Sequence, residues 1–183
     1  MDCLALFEQY LKSERNASAH TVRAYAADIR RLFEFQQDPS VDDVRAPIDE
    51  AAVRGLDDLK LRAYLAHMHS QDISRRSIAR KLSTIRSFFK FLQREGLMAD
   101  NPAVEISTPK LGRHLPEFLS VEEVKLLLES PPADSTAGIR DRAILEVLYS
   151  TGVRVAELAG LTLNDIDLLG GVMKVTGKGG KQR

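Results

Sequence analysis

The sequence predicts a mainly α-helical protein, in which a four-helix unit precedes the first part of a mixed α/β domain. Three observations support this prediction. Apolar residues recur at helical spacing up to about residue 96, with no convincing strand pattern among them. A basic segment containing proline and glycine, residues 108–116, then interrupts the chain and is interpreted as a linker between domains. The first convincing strand, residues 172–176, comes only near Arg183.

The four helices of the first unit, residues 1–107, are predicted from apolar stripes and caps. The stripes are Leu4, Phe7 and Leu11; Val22, Tyr25, Ile29, Leu32 and Phe33; Leu56, Leu59, Tyr64, Leu65 and Met68; and Ile78, Leu82, Ile85, Phe89 and Leu92. Ser18 and Ser74 are predicted N-caps, and Gly96 ends the fourth helix. An acidic, proline-containing connection between the second and third helices is predicted to be irregular. Four such helices form a small helical bundle.

The second unit, residues 117–183, begins with a predicted helix. Ser120 and Glu123 form a capping box at its N-terminus. Another helix is predicted over residues 139–150, and a short helix containing Arg154 follows Gly152. We expect the apolar side chains of the longer helix to be buried: Ile144, Leu145, Val147 and Leu148. One strand and the start of a return strand cannot close a sheet, so this unit is predicted to be incomplete.

Composition limits the function classes. The chain has 183 residues, 44% of them hydrophobic, and a formal net charge of zero, which argues against a simple basic nucleic-acid binder. The charge is unevenly distributed, however, because acidic residues crowd positions 38–58 whereas the fourth helix carries cations with no acid among them. With a single cysteine, Cys3, and no leader or membrane-spanning run, we expect a cytoplasmic protein that does not insert into membranes.

The fourth helix has a second face, opposite its apolar stripe, that combines cations with small hydroxyl side chains. At about 100° per residue, this face collects Arg76, Arg80, Ser83, Ser87, Lys90 and Arg94. Cations can reach phosphates, and serines let the helix backbone approach a nucleic acid closely. A solvated surface is the alternative, although the helix offers no acidic residue for i,i+4 pairs. We therefore predict that these residues bind DNA or RNA.

A lysine flanked by glycines, Lys178, lies in the segment VTGKGGKQR. A phosphate-binding loop is excluded because that motif needs glycine in place of Val172 and a hydroxyl residue in place of Gly179. The segment instead predicts a hairpin turn with an ammonium group at its tip. From this segment alone, an ordinary solvated turn lysine is the simpler interpretation. Lys181 follows in the same segment and is counted among the predicted DNA-binding residues.

Arg154 is placed at the predicted N-terminus of its short helix, where backbone N–H groups and the helix dipole favour an anion. Its guanidinium group can bind two phosphate oxygens, and Glu157 is placed to orient it. A surface ion pair between these two residues is an equally simple interpretation. The four histidines are dispersed, so we predict no metal site and no cofactor. Each tyrosine fits an apolar helix face and is interpreted as a core residue.

Taken in order, five segments resemble the tyrosine recombinases, especially the bacterial Xer type. They are SAHTVRAYAADIRRLFEF, SRRSIARKLSTIRSFFKFLQREGLMADNPA, LPEFLSVEEVKLLLESP, STGVRVAELAGLTLNDIDL and VTGKGGKQR. The resemblance covers nearly the whole chain except residues 38–54. TGVRVAEL followed by GKGGK is highly specific in combination.

This resemblance implies a core-binding domain and a catalytic domain that together clamp duplex DNA. It implies that a tyrosine attacks a DNA phosphate, leaving a 3′-phosphotyrosyl link and a free 5′-hydroxyl. By residue match, Arg154 is the first catalytic arginine, which neutralises charge on the nonbridging oxygens. Lys178 is the hairpin lysine, which protonates the departing 5′ oxygen. The implied partners are a double-stranded recombination site and a second recombinase of the family in a tetrameric synapse.

The family pattern also requires a His-x-x-Arg segment, a later His or Trp and the nucleophilic tyrosine, none of which follows Arg183. The sequence is therefore expected to be an N-terminal fragment that lacks the nucleophile. For the whole protein we expect site-specific DNA recombination that resolves chromosome dimers at cell division. Two alternatives stay open: a non-catalytic DNA-binding or recombinase-modulating protein, and a phage or transposon integrase. The absence of an arm-binding domain before Met1 favours the Xer type over the integrase.

Overall fold

The described part of the chain consists of helices and one small antiparallel sheet. The structure, a computed structural model, describes residues 1–36, 47–112, 117–177 and 182–183. The helices are α1 (Cys3–Ser13), α2 (Ala19–Gln36), α3 (Glu50–Arg54), α4 (Asp58–Ser70), α5 (Arg75–Arg94), α6 (Val121–Glu129), α7 (Thr136–Thr151) and α8 (Val155–Ala159), and the strands are β1 (Ile166–Asp167) and β2 (Val172–Met173). The chain divides into two compact units, Met1–Arg113 and His114–Arg183.

The first unit contains the four predicted helices, as α1, α2, α4 and α5. The side chain of Ser74 accepts the Ser77 N–H at 3.3 Å and caps α5, as predicted. Gly96 follows α5 with φ of 72°, the left-handed conformation that glycine adopts at lowest cost. The short helix α3 was not predicted. It begins where the Asp49 carboxylate accepts the Ala52 N–H at 2.8 Å, and its five residues are too few for a periodic signal.

The core of this unit lies between α1, α2, α4 and α5. Its largest fully buried side chains include Phe7, Ile29, Leu82, Phe88 and Phe89. At the centre of this core, the Phe7 ring of α1 packs edge-on against the Phe88 ring of α5, with the ring centroids 5.3 Å apart. Aromatic packing of this kind fixes α5 against α1.

One member of the predicted third stripe is not in the core. Leu59 is 70% exposed, whereas Leu56 is buried but precedes the helix. Asp57 caps α4 by accepting the Lys60 N–H at 2.8 Å, so the helix begins later than the apolar pattern suggested. The later start places Leu59 on the first turn, facing solvent.

The second unit begins with the predicted capping box of Ser120 and Glu123 on α6. The expectation of buried apolar residues on α7 is wrong: Leu145, Val147 and Leu148 are half-buried, and Ile144 is 38% exposed. The described residues of this unit therefore cover that face of α7 only in part. The predicted strand is shorter than expected, and β2 pairs antiparallel with an unpredicted β1 through Ile166 and Met173.

Candidate nucleic-acid interface and active site

A groove of about 400 Å³ on the first unit collects four of the predicted DNA-binding residues of α5. These are Ser83, Ser87, Lys90 and Arg94, and the groove is completed by Tyr10, Arg15, Arg86 and Phe91. Tyr10 and Arg15 come from α1 and the turn after it. The sequence contains no signal for either residue in this groove: Tyr10 is interpreted from it as a core residue, and only the packing of α1 on α5 brings both residues to this face. The groove therefore presents several cations and two small hydroxyl groups on one surface.

Arg94 is held in place by carboxylates that lie outside the face predicted from the helical pattern. Its guanidinium group donates to Glu14 at 2.9 and 3.2 Å and to Glu95 at 2.8 Å. The same group lies 4.4 Å from the centroid of the Tyr10 ring, a cation–π contact. The hydrogen bonds that Arg94 donates to Glu14, and then to Glu95, raise the pKa of Arg94 above its usual value. The two carboxylates thus partly neutralise the positive charge of Arg94.

Arg80, another predicted DNA-binding residue, also has an acidic partner that its own helix does not supply. Its guanidinium group donates to both carboxylate oxygens of Asp28 on α2, at 2.7 and 3.3 Å. Asp28 is buried and also accepts from the buried Lys81 ammonium at 2.6 Å. The absence of acidic residues in α5 therefore did not mean that its cations are unpaired, because the partners come from neighbouring helices.

Arg86 lies at the edge of the groove and binds the chain that follows α5. Its guanidinium group donates to the Ala103 carbonyl at 3.1 Å, to Thr108 Oγ1 at 2.8 Å and to the Ile106 carbonyl. These bonds fix the segment between α5 and residue 108 against the helix. Lys90 and Arg76 are exposed, and no described carboxylate lies within ion-pair distance of either.

Arg154 is the N-cap residue of α8, and its surroundings differ from those of a surface ion pair. Its Nη1 donates to Glu157 Oε1 at 2.8 Å, and its backbone N–H donates to Glu157 Oε2 at 2.9 Å. The Glu157 side chain is only 6% exposed, whereas that of Arg154 is 69% exposed. The Arg154 backbone N–H, and then its side chain, hold the pKa of Glu157 below its ordinary value, so that this carboxylate stays ionised. A fixed carboxylate therefore holds an accessible guanidinium group.

The second partner of Glu157 comes from the last described residues. Arg183 Nη2 donates to Glu157 Oε2 at 2.7 Å, and the backbone of Arg183 exchanges two hydrogen bonds with Val175 at 2.9 and 3.0 Å. Thr176 pairs with Gln182 as an antiparallel bridge. The predicted return of the chain is thus present, and it lies beside the Arg154 site. Lys178 and Lys181 lie between these paired residues in sequence, outside the residues that the structure describes.

Within the described ranges, no group of three or more histidine, cysteine, aspartate or glutamate side chains could hold a metal ion. No described helix is both long and apolar enough to cross a membrane.

Comparison with protein families gives two matches that together span most of the chain. Residues 4–96 match the phage integrase N-terminal SAM-like domain, and residues 117–183 match the phage integrase family. The chain belongs to the phage integrase family of tyrosine recombinases. Its predicted fold class, a helical core-binding unit followed by part of a mixed catalytic domain, is confirmed by these matches.

Curated relatives carry the same family assignment. The chain is 44% identical over 184 residues to a "Tyrosine recombinase XerC" of Pelobacter propionicus, covering 100% of this chain and 58% of that protein. It is 40% identical over 177 residues to a protein of the same name from Thermodesulfovibrio yellowstonii, covering 97% of this chain and 54% of the relative. The chain thus spans a little more than half the length of these relatives.

Solved structures of recombinases share the fold. A lambda integrase dimer bound to a COC′ core site matches with a TM-score of 0.71 and 20% identity, covering 99% of this chain and 46% of that one. The XerH site-specific recombinase bound to a difH substrate, a pre-cleavage complex, matches with a TM-score of 0.62 and 20% identity, covering 98% and 51% of the two chains. At this level of identity, the match establishes the fold.

Proposed function

We propose that this chain is the N-terminal part of a site-specific recombinase that cuts and rejoins DNA through a 3′-phosphotyrosyl intermediate. The observation that carries the proposal is Arg154, an accessible guanidinium group held by the nearly buried Glu157 in a protein of this family. A guanidinium group fixed before the substrate arrives stabilises charge that develops on phosphate oxygens without further reorganisation. In this role Arg154 contacts the nonbridging oxygens of the cleaved phosphate.

Lys178 is the second catalytic residue of the proposal. In sequence it lies between Thr176 and Gln182, which pair as an antiparallel bridge, and Arg183 after them bonds Glu157, the partner of Arg154. In this proposal its ammonium group protonates the departing 5′ oxygen. The nucleophilic tyrosine belongs, in this proposal, to the part of the curated relatives' length that this chain does not span.

The domain limits and the biological role form part of the same proposal. Residues 1–107 are the core-binding domain, residues 108–116 the linker and residues 117–183 the first part of the catalytic domain. The name of the curated relatives supports the Xer type over a phage or transposon integrase. We accordingly propose chromosome dimer resolution in the cytoplasm at cell division, by a tetrameric synapse that includes a second recombinase on a double-stranded recombination site.

The 183-residue chain is expected to bind duplex DNA through the groove on α5, and Lys90→Glu is expected to weaken that binding. Lys90 is exposed, so its replacement removes a phosphate contact and adds repulsion while changing the free energy of unfolding by no more than about 0.5 kcal/mol. Fluorescence anisotropy of a labelled duplex, read between about 50 and 200 mM salt, measures the affinity and its salt slope. That slope is about 0.9 for each phosphate neutralised.

Lys60→Glu is the matched control for this measurement, because it makes the same change of charge at an exposed position on α4 outside the groove. It should alter the affinity less than Lys90→Glu does. Equal affinities for the parent chain and Lys90→Glu, at equal melting temperatures, would show that the α5 face is ordinary solvated surface. Binding that does not respond to salt would contradict the phosphate contacts altogether.

The same chain is expected to form no covalent product on a nicked suicide substrate, because the nucleophilic tyrosine is proposed to belong to a part of the protein that this chain does not span. Tyr64 is buried, and burial raises the pKa of its hydroxyl group. Tyr10 and Tyr25 stack on Phe7, and only Tyr149 is well exposed, at 63%. A denaturing gel of labelled DNA tests this expectation. A covalent band would contradict it, and loss of that band in Tyr149→Phe would identify Tyr149 as the nucleophile.

A further inference from the structure

A buried carboxylate on α2, that of Asp28, forms ion pairs with two cations of the neighbouring helix α5. Asp28 is 3% exposed and accepts hydrogen bonds from two cations of α5. One cation, Lys81, is buried with it, and its Nζ lies 2.6 Å from Asp28 Oδ1. The other, Arg80, is 53% exposed and reaches the same carboxylate from the surface, at 2.7 Å from Oδ2. Asp28 therefore connects an interior charge to a surface charge.

The two cations have different relations to solvent. Lys81 already neutralises the Asp28 charge within the core, so the carboxylate has a buried counterion without Arg80. Arg80 adds a second, two-point contact that holds the plane of its guanidinium group, and the remaining N–H groups of that side chain stay available on the exposed side. Arg80 lies one turn before Ser83, which lines the groove.

We propose that Asp28 is a positioning residue for DNA binding, which holds the Arg80 guanidinium group so that its free N–H groups contact a backbone phosphate. The proposal rests on the DNA-binding function proposed above. A free arginine loses side-chain entropy when it binds a phosphate, whereas one already held by a carboxylate has lost that entropy on folding. The ion pair thus lowers the cost of the phosphate contact.

A charge-balanced variant, one with unchanged net charge, tests whether Asp28 positions Arg80, separately from effects of net charge and of protein stability. Asp28→Leu/Lys81→Met removes one negative and one positive charge, leaves the net charge unchanged and replaces a buried ion pair with apolar groups of similar size. Asp28→Asn/Lys81→Met is the second variant, which keeps one acceptor for Arg80. Arg80→Ala is combined with the parent and with each variant, and affinity for a labelled duplex of arbitrary sequence is measured together with the melting temperature.

We expect Arg80→Ala to weaken DNA binding by about 10-fold in the parent chain, as loss of one charge-assisted hydrogen bond typically does. Asp28→Leu/Lys81→Met should cause a loss of similar size at a retained melting temperature, and Arg80→Ala should then add little. The salt slope should fall by about 0.9 in either case, since one phosphate contact is lost. A role confined to helix packing would leave the affinity and the salt slope unchanged once the variant folds.

The contrary results are distinguishable. If both charge-balanced variants bind DNA with full affinity and Arg80→Ala still weakens binding in them, the positioning role is overturned, whereas the DNA-binding proposal stands. Tighter binding in these variants shows that Asp28 competes with phosphate for Arg80 and also overturns the role. If the parent chain binds DNA and Arg80→Ala does not change its affinity, the positioning role is overturned as well. Failure of the parent chain to bind DNA overturns the proposed function, and the inference with it.

Discussion

Lys178→Ala is expected to slow DNA cleavage by the whole recombinase about 10²- to 10⁴-fold, the usual contribution of a general acid. The alkoxide that leaves the cleaved phosphate is a poor leaving group unless a proton reaches it in the transition state. Lys178 lies in sequence between Thr176 and Gln182, which pair as an antiparallel bridge, and the neighbouring Arg183 bonds Glu157, the partner of Arg154. Single-turnover cleavage of a synthetic recombination site measures the rate.

A substrate whose bridging 5′ oxygen is replaced by sulfur tests the role itself, because a thiolate leaves without a proton. Lys178→Ala should recover most of its rate on this substrate. Arg154→Ala is the matched control and should stay slow, since Arg154 is proposed to act on the nonbridging oxygens, which the sulfur does not change. If sulfur rescues neither variant, Lys178 positions DNA or forms part of a turn, and its assignment as the acid is wrong.

Asp28→Asn is expected to lower the free energy of unfolding of the first unit by about 3 to 5 kcal/mol. The change leaves the Lys81 ammonium buried without its anion, and an isolated buried charge costs more than the lost attraction of the pair. Urea unfolding followed by circular dichroism measures the difference. Adding Lys81→Met to the same chain should restore most of the stability, because the unpaired charge is then gone.

Asp58→Asn is the matched control on the surface. Asp58 pairs with Arg62 at 3.4 Å along α4, and both side chains are at least half exposed. Solvent screens such a pair, so this variant should lose no more than about 1 kcal/mol. If Asp28→Asn and Asp58→Asn lower the free energy of unfolding equally, the burial of the Asp28 ion pair does not increase the cost of breaking it. A stable Asp28→Asn would contradict the network drawn for this carboxylate.

Features that depend on near neighbours in the chain could be predicted. Apolar residues three and four positions apart share one face of a helix, so the stripes of α1, α2 and α5 are visible in the order of residues. The caps of Ser74 and Ser120 are equally local, because each side chain bonds a backbone group three residues ahead. The family resemblance was also recognisable, because it rests on five short segments in a fixed order, which can be read directly from the sequence.

Contacts between residues distant in sequence could not be predicted, and they decide which cations of α5 have an acidic partner. Arg80 and Lys81 meet Asp28 across 52 and 53 positions, and Arg94 meets Glu14 across 80. A charge pattern along one helix carries no information about such partners. The burial of Lys81 likewise follows from the packing of α2 on α5. Local periodicity therefore determined the helices and the candidate face, whereas the assembly of those helices determined which charges are paired, which are buried and which remain accessible to a phosphate.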